Sequence, residues 1–290
     1  MTSPSLSWPT ALLYGCLRLA GHLPLSALHA LGAGFGRVLW WVRGRPRRMV
    51  EHNLSLVLTQ DGVENRQTIA RATLIETGKA LTEVAKVWSG PPTSRLRLVR
   101  RVHGSKRLDA AIDAARGVII AAPHLGCWEL LNHWLAARTP LAIVYRAPRR
   151  SALEPLLLRA RSALAVEQVR AEGAGVRTLY RRLVAGGVVG ILPDQRPRRG
   201  EGRLAPLFGT PALTMVLIGR LARRTGAEVL FSFAERLPHG AGFDIHILPA
   251  PTAIADADLD IACAALNQGV EDCVRLAFTQ YQWAYKRYPG

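Results

Sequence analysis

Lysine is nearly missing from this 290-residue chain. Only Lys79, Lys86, Lys106 and Lys286 are lysine, so 34 of its 38 basic residues are arginine. Acid is short as well: 21 Asp and Glu leave a formal charge of +17. The planar arginine fork matches phosphate and carboxylate. Three kinds of anionic partner fit: nucleic acid, an anionic membrane surface, or an acidic protein together with a phosphorylated lipid. A GC-rich genome also favours Arg over Lys, so the net charge is the firmer signal. Cysteine is scarce and scattered. Cys16, Cys127, Cys263 and Cys273 have neither metal-ligand nor redox spacing, which argues against a zinc site, a dithiol pair and a disulfide framework. Cys127, close to His124, is either a nucleophile or a small buried residue. No metal cluster and no cofactor are expected.

A long uninterrupted apolar run is lacking too. From Thr10 to Val42 the chain is mostly Leu, Ala, Gly and Trp, but Arg18, His22, Pro24, His29 and Arg37 interrupt it. A spanning helix needs about 20 apolar residues in succession, and no small-residue cleavage site follows a compact apolar core. Two short helices lying in a membrane interface fit better, with Trp40 and Trp41 at headgroup level. The run Arg43-Gly-Arg-Pro-Arg-Arg48 would then rest on anionic lipid of the cytoplasmic face. The alternative is a pair of helices packed into a core. Aromatics are not interleaved with the basic runs and no nucleic-acid-binding motif occurs, so no nucleic acid is expected as a partner.

What is present is an alternation of strand-like and helix-like segments. Met49–Leu58 and Glu64–Trp88 read as helices, and Leu96–Val102 as a first strand. Ser105–Ala115 reads as a helix before a strand at Val118. Strands at 141–145, 166–169 and 188–192 alternate with helices at 152–164 and 175–185. A helix is expected over Pro211–Thr225, strands over 227–234 and 242–248, and a closing helix over 256–278. Strands separated by helices predict a three-layer α/β sandwich. The back-to-back pair near the end predicts a hairpin, and hence a mixed sheet.

The centre of the chain is Gly117-Val-Ile-Ile-Ala-Ala-Pro-His124-Leu-Gly-Cys-Trp-Glu129. A buried strand ends, a short loop follows, and a helix begins with Trp128, Leu131 and Leu135 at helical spacing. In open α/β sheets ligands bind beyond such strand ends. An imidazole can take a proton from an alcohol when a carboxylate fixes its tautomer and stabilises the imidazolium. Residues five apart on one helix lie about 140° apart, so His124 and Glu129 can meet only across a corner, which Gly126 allows. The plainer alternative is a satisfied histidine and an acid in a helix first turn, where the dipole favours it. Two further strand ends carry Tyr145-Arg146-Ala-Pro-Arg149-Arg150 and Pro193-Asp194-Gln195-Arg196-Pro-Arg198-Arg199, forming a common basic rim. Asp194 either organises that rim or makes a structural salt bridge. Phe208-Gly-Thr-Pro-Ala212 reads as a turn opening a helix, with Thr210 as N-cap, Pro211 at the first helical position, and amides free for an anion.

Taken in order, these segments resemble the late acyltransferases of lipid A biosynthesis, the lauroyl and myristoyl transferases. The resemblance rests on an apolar N-terminus, Asn53-Leu54, His124-x4-Glu129, Tyr145-Arg146, Pro193-Asp194-Gln195, Phe208–Ala212 and the tail Gln280-Tyr-Gln-Trp-Ala-Tyr-Lys-Arg287. It implies a glycerolipid-acyltransferase-like α/β/α sandwich, with residues 1–48 as a membrane-associating helical segment and 49–290 as the acyltransferase domain. It implies transfer of a fatty acyl chain from acyl carrier protein to a hydroxyl of a phosphorylated glycolipid, at the inner membrane. In that family's terms His124 is the general base and Glu129 its orienting acid. Arg146, Arg149, Asp194, Gln195 and Arg196 are the substrate-binding positions, and the tail is a structural signature. A relative acting on another glycolipid or an aminolipid fits the same residues.

Overall fold

The computed structural model describes residues 8–89, 91–145, 166–170, 173–198 and 200–288. Four helices come first: α1 (Trp8–Ala20), α2 (Leu25–Val42), α3 (Arg45–Val57) and α4 (Val63–Ser89). Next are α5 (Pro92–Leu96), β1 (Val99–His103), α6 (Ser105–Asp113), β2 (Val118–Ala121), α7 (Trp128–Ala136), β3 (Leu141–Tyr145) and β4 (Val166–Arg170). The chain continues through α8 (Ala174–Val184), β5 (Val188–Ile191), β6 (Gly202–Leu207), β7 (Thr210–Met215), α9 (Leu217–Thr225), β8 (Glu228–Arg236), β9 (Phe243–Pro249) and α10 (Leu259–Leu276).

Seven strands form one sheet in the order β1-β9-β8-β2-β5-β3-β4. From β8 to β4 every neighbour is parallel, while β9 is antiparallel to β8 and parallel to β1. The sheet is therefore mixed, and the hairpin expected near the end is β8–β9. Period-two alternation divides the strands between two cores. Ile119, Ala121, Val189, Ile191 and Phe231 face α8, α9 and α10 on one side. Val118, Ile120, Leu141, Ile143 and Leu230 face α6 and α7 on the other. This is the expected three-layer arrangement, and fully buried strands explain why β2 and β5 read as unbroken apolar runs.

Two expected elements are corrected. The first strand starts later, at Val99, because Pro92–Leu96 turns helical with prolines at its start, where the missing N–H costs nothing. The helix expected over Pro211–Thr225 begins only at Leu217, and Thr210–Met215 instead pairs with Gly202–Leu207 as an antiparallel hairpin. Its two-residue turn places Phe208 and Gly209 at φ 50° and 76°, the left-handed conformation such hairpin turns require. Pro206 then faces Pro211, a pair that in the antiparallel alternation needs no N–H donor. Thr210 is thus no N-cap; its hydroxyl donates to the Leu56 carbonyl at 3.0 Å. The helix expected over 152–164 lies outside the described residues.

The N-terminal helices pack closely on α4. The buried face of α2 is Leu25, Leu28, His29, Gly32, Ala33 and Gly36, a helical stripe. Gly32 and Gly36 lie directly against α4 near Gly78, and a Cβ on Gly78 would collide with the Gly32 carbonyl. Gly78→Ala is therefore expected to force the helices apart and to cost about 1–3 kcal/mol of stability in urea unfolding. A shift smaller than a few tenths would show that the helices slide without loss. Among the described residues, no helix is long and apolar enough to cross a membrane.

Candidate active site

Strand register brings the site together. Ala121 at the end of β2 is paired with Ile191 at the end of β5, in parallel. Each strand continues through a residue and a proline to a polar side chain, so His124 and Asp194 stand three residues beyond paired positions and emerge side by side. Asp194 Oδ1 lies 2.8 Å from His124 Nδ1, and its Oδ2 accepts the His124 backbone N–H at 2.9 Å. Asp194 is buried and the His124 side chain nearly so. Burial alone would raise the Asp194 carboxyl, but His124 outweighs it, through charge and hydrogen bonds, and holds the group below the usual aspartate value. Asp194 is therefore ionised and accepts from Nδ1–H, and in the neutral ring that tautomer leaves the lone pair on Nε2.

That lone pair faces Gln195, whose Nε2 is 3.1 Å away. The same amide nitrogen donates to Gln282 Oε1 at 3.4 Å. An amide N–H stands here where an acceptor hydroxyl would have to sit. The arrangement is a base with its tautomer fixed from behind and a polar group at its front.

Glu129 is placed differently from the expectation. It lies buried in the first turn of α7 and accepts from the Trp88 indole N–H at 3.3 Å. The corner at Gly126 does form, with φ +60° and its backbone against Ala234. The contact that fixes Nδ1 nevertheless comes from Asp194, because in-register strand ends bring it beside His124 without any turn. Cys127 is buried, and burial pushes its thiol well above the ordinary value, so it is the small packed residue rather than a ready nucleophile. Arg196 donates its backbone N–H to the Tyr285 hydroxyl at 3.1 Å. Arg146 and Arg149 lie outside the described residues. Among the described residues no group of three or more His, Cys, Asp or Glu could hold a metal ion.

The tail, read from sequence as a structural signature, turns out to frame the site. Gln282 N–H donates to the His124 carbonyl at 3.0 Å, and Gly126 N–H to the Gln280 carbonyl at 3.3 Å. Tyr281 pairs with Leu125 across an antiparallel bridge. Its phenol is buried beside Asp194, and burial first and that negative charge second push it well above its normal range. Asn53, from the Asn53-Leu54 pair, donates to the carbonyls of Trp283 and Tyr285 at 2.7 and 2.8 Å. Two segments more than two hundred residues apart are thereby clamped behind His124. Sequence spacing gave no hint of it, since only three-dimensional register joins them. Gln282→Ala is expected to release Gln195 and to lower turnover modestly, about tenfold, with little change in Tm. A full-activity variant would make the tail mere scaffolding.

Comparisons with known proteins place the chain among acyltransferases. The chain is 26% identical over 211 residues to phosphatidylinositol mannoside acyltransferase of Mycobacterium tuberculosis, covering 70% of this chain and 65% of that one. It is 25% identical over 282 residues to the lipid A biosynthesis lauroyltransferase of Escherichia coli K12, covering 97% of this chain and 91% of that one. The family model described as bacterial lipid A biosynthesis acyltransferase matches residues 4–289, and with that match the chain belongs to this family of acyltransferases.

Proposed function

We propose that this protein moves a fatty acyl chain from acyl carrier protein to a hydroxyl of a lipid A precursor, as a late acylation at the cytoplasmic face of the inner membrane. One observation carries the mechanism: the 2.8 Å contact between His124 Nδ1 and Asp194, which leaves Nε2 available as a base. Nε2 takes the acceptor's hydroxyl proton as the oxygen attacks the thioester carbonyl carbon. The tetrahedral intermediate collapses with cleavage of the C–S bond, and the departing thiolate receives the proton back from the imidazolium. Asp194 stabilises that imidazolium throughout. Transfer is direct, because the buried Cys127 thiol is poorly ionised.

Glu129 acts in this reading as a second, positioning carboxylate, holding the first turn of α7 through Trp88. Arg146, Arg149, Arg196 and Gln195 meet the phosphates and polar groups of donor or acceptor. Residues 1–48 act as the membrane-associating segment and 49–290 as the acyltransferase domain. Support for a membrane-facing surface comes from the exposed side chains of Trp8, Leu12 and Leu19 on α1 and of Leu31, Val38 and Trp41 on α2. Isolated exposed apolar residues are ordinary, but a run of them on two adjacent helices marks an interaction surface. Arg47 stacks on Trp40 at 3.6 Å beside this surface, as suits an interfacial anchor.

Mass spectrometry of lipid A from cells with and without the protein tests the proposal. A missing secondary acyl chain in its absence is the expected result. Unchanged lipid A together with a lost acyl chain on another glycolipid would move the acceptor to that lipid, the substrate class of the mycobacterial relative.

A further inference from the structure

A cavity of about 990 Å3 opens between α8 and α9 and reaches the loop that follows Gln195. Five arginines edge it: Arg177 and Arg181 from α8, Arg220 and Arg224 from α9, and Arg198 from the loop. All five are exposed, and Glu201 is the one acid among the lining residues. Among the described residues, no carboxylate lies within salt-bridge distance of Arg177, Arg181, Arg220 or Arg224. The floor is apolar, with Val176, Met215, Leu217 and Leu221. Four like charges gathered around one trough repel each other and do nothing visible for the fold. They are a surface awaiting an anion.

We propose that this groove docks an acidic helix of the protein that carries the acyl thioester. The inference rests on the reading of the donor given under the proposed function, and it assigns that donor a place. Three features favour a protein helix. An apolar trough edged by charge suits an amphipathic helix with acidic flanks. The volume far exceeds what a phosphate group needs. Most of the large exposed apolar side chains lie on α1 and α2, and Tyr180 alone among those described lines this groove, so insertion into a bilayer is served elsewhere on the surface. The groove also runs to Pro197 and Arg198, two to three residues from the Gln195 amide that faces His124, so a prosthetic arm leaving the docked helix has a short path to the base.

The test uses the full-length protein, the variant Arg177→Glu/Arg181→Glu/Arg220→Glu/Arg224→Glu, and two donors: acyl carrier protein bearing an acyl chain, and the same acyl chain on free pantetheine. For the variant, KM for the carrier-borne donor is expected to rise roughly tenfold or more, with its salt dependence flattened. KM and kcat for acyl-pantetheine are expected to stay as in the wild type, which also shows that the variant folds. Equal loss with both donors, or no change with either, would overturn the proposal. So would loss of binding to vesicles containing anionic phospholipid with carrier kinetics unchanged, since the groove would then serve the membrane. If the wild type transfers from neither donor, the acyltransferase reading itself has failed. Fluorescence anisotropy with labelled carrier protein then decides the groove alone: binding to the wild type but not to the variant supports it, and no binding to either overturns it.

Discussion

Replacing His124 with alanine is expected to lower acyl transfer by about 10²–10⁴-fold, the range typical of a positioned general base, with the fold intact. The backbone N–H at position 124 keeps its 2.9 Å bond to Asp194 Oδ2 in the variant, so the carboxylate does not lose every partner. Asp194→Asn separates this mechanism from a merely electrostatic one. The amide can donate to Nδ1, which would place the ring hydrogen on Nε2 and remove the base while preserving the geometry. Its loss should therefore approach that of His124→Ala, and combining the two should add little, because both remove one functional unit. Glu129→Gln gives the contrast. It keeps the contact with the Trp88 indole and should retain most of the turnover. Near-normal rates for Asp194→Asn with collapse for Glu129→Gln would return the orienting role to Glu129.

Much of this was legible in the sequence, and the gaps have physical causes. β2 and β5 declared themselves because strands buried on both faces need unbroken β-type residues. His124 and Asp194 follow equivalent strand–x–Pro steps, and that likeness was the available sign that they are neighbours. Sequence separation nevertheless favours Glu129, five residues from His124, over Asp194, seventy away. Parallel register overrides chain distance here. The hairpin Gly202–Met215 was missed because Pro211 after Thr210 imitates a helix start. Only the φ > 0 demand at Phe208-Gly209 distinguishes the two, and phenylalanine hides it. The contribution of the tail was invisible for a different reason: its contacts with the His124 loop are main-chain hydrogen bonds, which leave no residue signature, and the partners of the Gln280 and Gln282 side chains lie some 44 and 87 residues away in sequence.

Arg236→Met is expected to be the most destabilising single change outside the site, by about 3–5 kcal/mol, the usual consequence of removing one partner from a buried ion pair. Arg236, at the end of β8, donates through Nε and Nη2 to Glu83 at 2.6 and 2.5 Å and through Nη1 to Glu76 at 2.8 Å. His29 from α2 adds a 3.1 Å contact to Glu83. Burial would raise the Glu83 carboxyl, but Arg236 more than reverses this, and with His29 lowers it from 4.5 to about 2. A depressed acid stabilises the fold fully above its unfolded value, so this contribution holds above about pH 4.5 and is lost as the pH falls toward about 2. Without Arg236 the sign inverts. Glu83 then sits in a dry interior near His29 and the Cys127 thiol, its pKa rises above the unfolded value, and acid relieves the strain by protonating it. The gap between wild type and variant in urea unfolding should accordingly narrow between pH 7 and pH 4. Glu83→Gln added to Arg236→Met should recover part of the loss, because two neutral side chains leave no buried charge uncompensated, while Glu76 keeps Lys79 at 2.5 Å. A gap that stays constant with pH would mean that lost packing of the arginine stem, rather than an orphaned carboxylate, sets the cost. The consequence reaches the active site through the backbone. Gln280 accepts from the Arg236 N–H at 2.8 Å and donates to its carbonyl at 2.9 Å, and Gln280 begins the tail that holds the His124 loop. Loosening β8 should therefore reduce turnover of the folded fraction as well.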